Sequence, residues 1–324
     1  MGVRVGLRLC GGLLIALACA HPRAAELQVE LRDKLSAATV FIETRMALSS
    51  ADWLALSKET RREIGRRPAG PVSGSGFLIS QDGYVMTNAH VVSEFKENVP
   101  AGPGKTVQWR FMPTSVKVVL NSGREDERVY WPRIVKVDKG LDLALLKIAP
   151  QPDVEPLKIN PTDEAETGQL VFMAGFPGGK LTDLAPFVGS AQEAYDNPKN
   201  PDVSLNAGMV TAVRKYHGSI RYQLDIRANH GNSGGPIVNP ACEVVAVLYA
   251  GMDHMQSINY AIPSFYLGKV LPASITKDWP ASHRDASAEQ DYDDFKGSGT
   301  FKLAKGDGRI RLEGLWKTTA VKGE

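Results

Sequence analysis

Cysteine, net charge and long apolar runs are all scarce in this 324-residue sequence. Two of its three cysteines, Cys10 and Cys19, lie within the first twenty residues, so a chain without that segment keeps only Cys242 and forms no intramolecular disulfide. The formal net charge of +2 argues against a polyanion-binding protein, and no nucleic-acid partner is expected. After residue 20 no run approaches the ~20 apolar residues of a membrane span, so no transmembrane segment is expected in the mature chain.

The first twenty residues are typical of a signal peptide. Two arginines precede a short apolar stretch at residues 9–20, which ends in Ala-Cys-Ala, a small-x-small cleavage pattern. We therefore expect residues 1–20 to be removed and the chain to be secreted, with the bacterial periplasm favoured for an exported protein of this size without disulfides. The alternative is a lipoprotein anchored at Cys19. It ranks second because Ala16 stands where that signal usually has leucine.

Short β-rich runs separated by turn residues dominate the sequence from about residue 25 onward. They form two series, divided by the segment at residues 149–155. The predicted fold is therefore all-β, with two six-stranded antiparallel β-barrels at about residues 36–150 and 156–272. The predicted strands are residues 39–44, 76–80, 84–87, 106–112, 116–121, 133–137, 143–148, 170–174, 207–213, 221–224, 236–238, 244–249 and 259–262.

One helical insertion and one hairpin are predicted besides these strands. Residues 50–67 have a helical pattern, with Ser49 and Asp52 placed for N-capping. The chain becomes polar and acidic after the second series, and an Asp-Gly pair at residues 307–308 lies between two alternating runs, which is a hairpin signal. Residues 273–324 are therefore assigned to a linker and a tail with a hairpin.

A single serine stands among glycines in the string Gly-Asn-Ser-Gly-Gly at residues 231–235. A serine hydroxyl is a poor nucleophile unless a base accepts its proton and donors receive the oxyanion. The glycines allow a tight turn that directs the N–H groups of Gly231 and Ser233 toward one point. The string also fits the nucleophile elbow of α/β-hydrolases, but no alternation of strands and helices precedes it, so that interpretation is rejected.

A histidine and an aspartate upstream could complete a catalytic set with this serine. His90 follows the predicted strand at residues 84–87, and a lone histidine there is more often a surface or core residue. Asp142 stands at the mouth of the strongly apolar strand at residues 143–148, where an aspartate commonly caps a turn. In a catalytic role Asp142 would hold the imidazole in one tautomer and stabilise the imidazolium.

Together these segments resemble the trypsin-like serine proteases, and within them the HtrA/Deg group. The resemblance is carried by residues 73–77, 87–92, 141–147, 231–236 and 260–264, and the order His, Asp, Ser matches. It implies a double-barrel protease domain of the chymotrypsin kind at residues 26–272, with the active site between the barrels.

The resemblance also implies a role for each site residue. His90 is the general base, Asp142 its orienting acid and Ser233 the nucleophile, while the N–H groups of Gly231 and Ser233 form the oxyanion hole. The expected activity is that of a serine endopeptidase, which hydrolyses peptide bonds of proteins or peptides through an acyl-enzyme on Ser233. No cofactor and no metal are expected.

In trypsin-like proteases the residue six before the nucleophile lies at the base of the S1 pocket and can set substrate preference, and the resemblance places Arg227 at that position. A guanidinium there would favour an acidic residue before the cut. In the alternative interpretation Arg227 pairs with Asp225 or faces solvent, and Ala228 and Gly251 leave a roomy neutral pocket.

The sequence departs from the HtrA/Deg pattern in two places. The segment after residue 272 is too short for the PDZ domain of that group, so peptide sensing by such a domain is not expected. His230 stands where the group has proline. A homo-oligomer, a trimer by analogy, stays open. Two other functions also stay open, namely a catalytically silent binding or chaperone protein on a protease scaffold, and an esterase with the same triad.

Overall fold

A computed structural model shows the fold over most of the chain. The structure describes residues 22–64, 69–100, 106–162, 165–179, 199–216, 219–252, 255–283, 302–306 and 309–313. The predicted signal peptide, with Cys19, lies outside these residues.

The described residues form seventeen strands, one helix of 17 residues and six shorter helices. The helices are α1 (Pro22–Ala38), α2 (Ser50–Ala55), α3 (Lys58–Ile64), α4 (Ala89–Val92) and α5 (Ala273–Thr276), with 3-10 helices η1 (Ser264–Lys269) and η2 (Ala281–His283). The strands are β1 (Thr39–Leu48), β2 (Ala69–Leu78), β3 (Tyr84–Thr87), β4 (Phe95–Pro100), β5 (Thr106–Leu120), β6 (Arg128–Tyr130), β7 (Arg133–Asp138), β8 (Leu143–Lys147), β9 (Lys158–Ile159), β10 (Leu170–Gly175), β11 (Ser204–Tyr216), β12 (Ser219–Leu224), β13 (Pro236–Val238), β14 (Glu243–Met252), β15 (Met255–Pro263), β16 (Lys302–Gly306) and β17 (Arg309–Glu313). None of the helices in the described ranges is long and apolar enough to cross a membrane.

The first sheet is antiparallel and follows the order β4-β5-β1-β2-β3-β8-β7, with β6 also paired to β5. Strand β1 is buried at every position except Arg45, because both of its faces are covered. Val40 and Ile42 point into the core of the first sheet, whereas Phe41 packs edge-to-face on Phe176 of the second half. The sheet curves into a half-barrel against the second unit.

The second sheet closes on itself. Its order is β13-β10-β11-β12-β15-β14, and β14 pairs back to β13, which completes a ring of six antiparallel strands. Strand β9 adds to β14 in parallel. The predicted all-β fold with two barrel units is therefore confirmed, with the second unit a closed barrel and the first a half-barrel that has extra strands.

The core that joins the two halves also includes a helix and a segment near the end of the barrel region. Leu35 of α1 and Trp279, which follows α5, belong to the same buried cluster as residues from both sheets. Burial of a side chain of this size stabilises a fold by about 1.5–3 kcal/mol. Helix α1 was not expected from the strand pattern, and the packed unit extends beyond residue 272 to Trp279.

The predicted helix at residues 50–67 is wrong in one respect, because two short helices occupy the described part of it. Ser49 caps α2 as expected, since its side chain accepts a hydrogen bond from the N–H of Asp52 at 3.0 Å. Leu56 then takes an extended conformation with ψ 147°. The hydroxyl of Ser57 accepts from the N–H of Thr60 at 3.1 Å, which starts α3.

Strands β16 and β17 pair antiparallel in the region of the predicted tail hairpin. Their connecting Asp-Gly pair at residues 307–308 lies outside the described residues.

Candidate active site

His90 lies on α4, immediately after strand β3 ends at Thr87. Its helix neighbours Ala89, Val91 and Val92 are buried in the core of the first sheet, and they fix this single turn of helix. The histidine side chain stays 43% exposed. The apolar neighbours therefore anchor the backbone, while the imidazole remains accessible to solvent.

Asp142 contacts His90 through both carboxylate oxygens. Its Oδ2 lies 2.6 Å from the ring Nδ1, and its Oδ1 accepts the backbone N–H of His90 at 2.8 Å. A Nδ1–H that donates to a carboxylate leaves the lone pair on Nε2, which is the tautomer a general base needs. Asp142 also has a left-handed backbone with φ 62°. The buried side-chain amide of Asn88 donates to its carbonyl oxygen at 2.9 Å.

Two consecutive tight turns shape the segment around Ser233. In the first, the N–H of Asn232 donates to the carbonyl of Asn229 at 3.1 Å, and in the second the N–H of Gly235 donates to the carbonyl of Asn232 at 2.9 Å. The third residue of each turn is a glycine with positive φ, 93° at Gly231 and 86° at Gly234. A type II turn requires such an angle at that position, so the glycine spacing specifies this backbone.

The peptide planes of these turns set the direction of the two expected oxyanion donors. The carbonyl of His230 accepts from the N–H of Gly178 at 2.5 Å, and that of Asn232 accepts from Gly235. In a trans peptide the N–H points opposite to the preceding carbonyl. The N–H groups of Gly231 and Ser233 therefore point away from the carbonyl oxygens of His230 and Asn232.

The turn of Ser233 lies directly against the strand end that leads to His90. A side chain at Gly234 would clash with the carbonyl of Ser75 and the hydroxyl of Thr87, and its Cβ would lie 3.1 Å from the backbone N of Asn88. The N–H of Ser75 also donates to the carbonyl of Ser233 at 2.8 Å. The structure thus brings Ser233 to the junction of the two halves, next to the residues that precede His90.

The expected substrate-binding residues lie on neighbouring parts of the second barrel. Arg227 is exposed, and Ala228 is half-buried against the core of this barrel. Gly251 on β14 pairs with Asn259, whose side-chain amide donates to the carbonyl of Ile226 at 2.6 Å. Buried Asn259 therefore ties the segment before Ser233 to β14 and β15. Nothing in the local sequence pattern pointed to it.

Asp225, which was considered above as a partner of Arg227, hydrogen-bonds to the backbone of β11. Its Oδ1 accepts the backbone N–H of Met209 at 2.6 Å.

Across the described ranges, no group of three or more His, Cys, Asp or Glu side chains is arranged to hold a metal ion.

The fold and this site define a protein of the chymotrypsin-like class, and comparison with known proteins gives the family. The family model of the trypsin-like peptidase domain matches residues 74–247, more than half of the chain. The chain therefore belongs to the trypsin-like peptidase family.

The relatives confirm the resemblance to the HtrA/Deg group. A Marinomonas protein named "Probable periplasmic serine endoprotease DegP-like" is 33% identical over 198 residues, which cover 59% of this chain and 33% of the relative. Human serine protease HTRA4 is 30% identical over 201 residues, which cover 62% of this chain and 34% of the relative. The chain thus spans about a third of the length of these relatives.

A solved structure shows the same fold. The HtrA-type protease AlgW, determined with a decapeptide, superposes with a TM-score of 0.50 at 22% identity, covering 72% of this chain and 62% of that chain.

Proposed function

We propose that this protein is a serine endopeptidase with His90, Asp142 and Ser233 as its catalytic triad. The observation that carries the proposal is the two-point contact between His90 and Asp142, at 2.6 and 2.8 Å, beside the glycine turns of Ser233. Membership of the trypsin-like peptidase family and the HtrA/Deg relatives support it.

Each residue has one task in the proposed reaction. The hydroxyl oxygen of Ser233 attacks the carbonyl carbon of the scissile peptide bond, and its proton passes to Nε2 of His90. The carboxylate of Asp142 stabilises the imidazolium that results. The imidazolium then gives the proton to the leaving amine, and the C–N bond breaks to leave an acyl ester on Ser233.

Water completes the cycle by the same route. His90 accepts a proton from the water that attacks the ester, and returns it to the oxygen of Ser233 as the acid product leaves. The N–H groups of Gly231 and Ser233 receive the negative oxygen of both tetrahedral intermediates. The two N–H groups suit this task because they point away from the carbonyl oxygens of His230 and Asn232 in their own turns.

The substrates we propose are proteins or peptides with a small aliphatic residue before the cut. Two observations support a neutral pocket walled by Ala228 and Gly251. Arg227 is exposed, and the segment that carries it is held by the side-chain amide of Asn259, which donates to the carbonyl of Ile226. An acidic preference set by Arg227 is the competing outcome.

We propose export to the periplasm after removal of residues 1–20, with a lipid anchor at Cys19 as the alternative. The periplasmic DegP-like relative supports this location. The assembly favoured by analogy with the HtrA/Deg group is a homo-oligomer, in particular a trimer, and light scattering after size-exclusion chromatography measures its mass.

Digestion of casein by the purified mature protein tests the proposed function, with Ser233→Ala as the matched control. A peptidase releases peptides in the wild type alone. A silent binding protein releases none, and an esterase hydrolyses p-nitrophenyl esters but leaves casein intact. Either of the last two results would overturn the proposal in favour of the corresponding alternative.

A further inference from the structure

Ser75 is fully buried and hydrogen-bonds to the nucleophile turn, to the neighbouring loop and to the strand that leads to His90. We propose that Ser75 is a positioning residue, whose hydroxyl holds Gly231 and so aims the oxyanion donor of the second barrel. The inference rests on the proposed function, because it assigns a task to Ser75 within the same site.

The hydroxyl of Ser75 has one proton and can therefore donate only one hydrogen bond. The backbone N–H of Phe176 can only donate, so the Ser75 oxygen accepts there, at 3.0 Å. The single proton is left for the carbonyl oxygen of Gly231, 2.7 Å away. Ser75 therefore bridges the turn before the nucleophile to the loop after β10.

The contact matters because Gly231 is the flexible point of the turn. A glycine with φ 93° can rotate its flanking peptides at little steric cost. The peptide before it is fixed by the bond from Gly178 to the His230 carbonyl. The peptide after it is fixed by Ser75 on the carbonyl side, and on its N–H side by the bond from Asn232 to Asn229. With both planes held, the N–H of Gly231 has one orientation.

The backbone of Ser75 makes a second set of contacts that survive loss of its hydroxyl. Its N–H donates to the Ser233 carbonyl at 2.8 Å, and its carbonyl accepts from the Thr87 hydroxyl at 2.7 Å. Thr87 ends the strand that leads to His90. Ser75→Ala therefore removes only the hold on Gly231 and Phe176, while the link between the two halves stays.

Ser122 offers a matched control elsewhere between the same two halves. It is also buried, and its hydroxyl donates to the carbonyl of Pro201 at the same distance of 2.7 Å. It lies in the turn after β5, and its partner is not part of the nucleophile turn. Ser122→Ala thus deletes an equivalent buried hydrogen bond without touching Gly231.

The experiment compares wild type, Ser75→Ala and Ser122→Ala in two measurements. The first is kinetic: the second-order rate constant for a fluorophosphonate probe, together with kcat and KM on a peptide. The second is hydrogen–deuterium exchange of the amides at residues 231–235. Complete removal of an oxyanion donor lowers kcat by about 10²- to 10³-fold. A donor that is present but held in the wrong orientation should therefore lower kcat by about 10- to 100-fold.

In Ser75→Ala we expect kcat and the probe rate to fall by about that factor, KM to change little, and exchange at residues 231–235 to become faster. In Ser122→Ala we expect wild-type kinetics and wild-type exchange in this segment. If both variants behave alike in both measurements, Ser75 has only a packing role and the inference is overturned.

The two proposals fail in different ways. If wild type does not react with the probe, the proposed function is wrong, and the exchange data alone decide whether Ser75 holds the turn. If Ser75→Ala does not fold, Ser75→Cys takes its place, because a thiol keeps the position but donates more weakly. The same outcomes then support or overturn the inference.

Discussion

Asp142 engages His90 with both of its carboxylate oxygens, one on the ring Nδ1 and one on the backbone N–H. The second contact fixes the carboxylate relative to the helix that carries the imidazole, so the side chains cannot turn independently. The Asp142 side chain is only 15% exposed, against 43% for His90. The carboxylate of Asp142 is therefore sheltered, and the imidazole of His90 is open to solvent.

Asp142→Asn should lower kcat by about 10⁴-fold, because an amide that donates to Nδ1 stabilises the wrong tautomer of His90. Peptide hydrolysis measured at neutral pH checks this. Asp138→Asn is the control, since Asp138 accepts from the N–H of Leu141 at 2.9 Å in the same turn but does not contact the histidine. Equal activity of the two variants would mean that Asp142 only caps the turn.

The glycine string and the strand that ends before His90 could be predicted from sequence because their signals are local. Strand β3 covers the predicted residues 84–87 and β13 the predicted residues 236–238. The spacing of Gly231 and Gly234 likewise specifies two turns within the seven residues 229–235. Local chemistry fixes such features, and they carry the site.

Other features depend on contacts between distant parts of the chain and have no local signal. The sequence predicts two strands, at residues 106–112 and 116–121, because proline usually interrupts a strand and Pro113 lies between them. The structure has the single strand β5 there. In the structure Pro113 pairs with Met46 at a register shift of β1, and a bulge is a position where a strand tolerates proline. Ser75 bonds to a residue 156 positions away, so its role is visible only in the folded protein.

Glu243 should make the stability of the second barrel depend on pH. A hydrogen bond from Lys158 lowers the pKa of Glu243 below its ordinary value of 4.5, and the amide of Asn160 adds to this effect. A lowered pKa stabilises the fold above the ordinary value, and this contribution disappears as pH falls through the folded-state value. Glu243→Gln should therefore lose about 1 kcal/mol of unfolding free energy at pH 7.

Urea denaturation at several pH values measures the effect of Glu243→Gln. The difference from wild type should shrink as the pH falls below 4.5, because the carboxyl is then protonated first in the unfolded chain and, at lower pH still, in the folded protein. Glu125→Gln, at an exposed position, should be neutral throughout. A constant difference at all pH values would contradict the electrostatic explanation.

Maturation should remove residues 1–20 and leave His21 as the new N-terminus, because the small-x-small pattern ends at Ala20. Intact-mass analysis of the exported protein determines the position of cleavage directly. A protein that retains Cys19 with acyl chains would establish the lipoprotein alternative instead.

Arg227→Ala should leave the cleavage preference unchanged, because the exposed guanidinium does not need to enter the pocket. Digestion of a peptide library should give cuts after Val, Ala or Leu in wild type and in the variant. Arg214→Ala, which removes an exposed positive charge from β11, is the control. Cuts after Asp or Glu that disappear only in Arg227→Ala would assign specificity to Arg227.

The central claim is that Ser233 is a nucleophile activated by His90, and labelling with a fluorophosphonate probe tests it most directly. We predict one covalent adduct, located at Ser233 by mass spectrometry, which is absent in Ser233→Ala and forms far more slowly in His90→Ala. Ser73→Ala, which changes a serine of the neighbouring strand β2, should label like wild type. A folded wild-type protein that stays unlabelled at neutral pH, or an adduct at any other residue, would contradict the account.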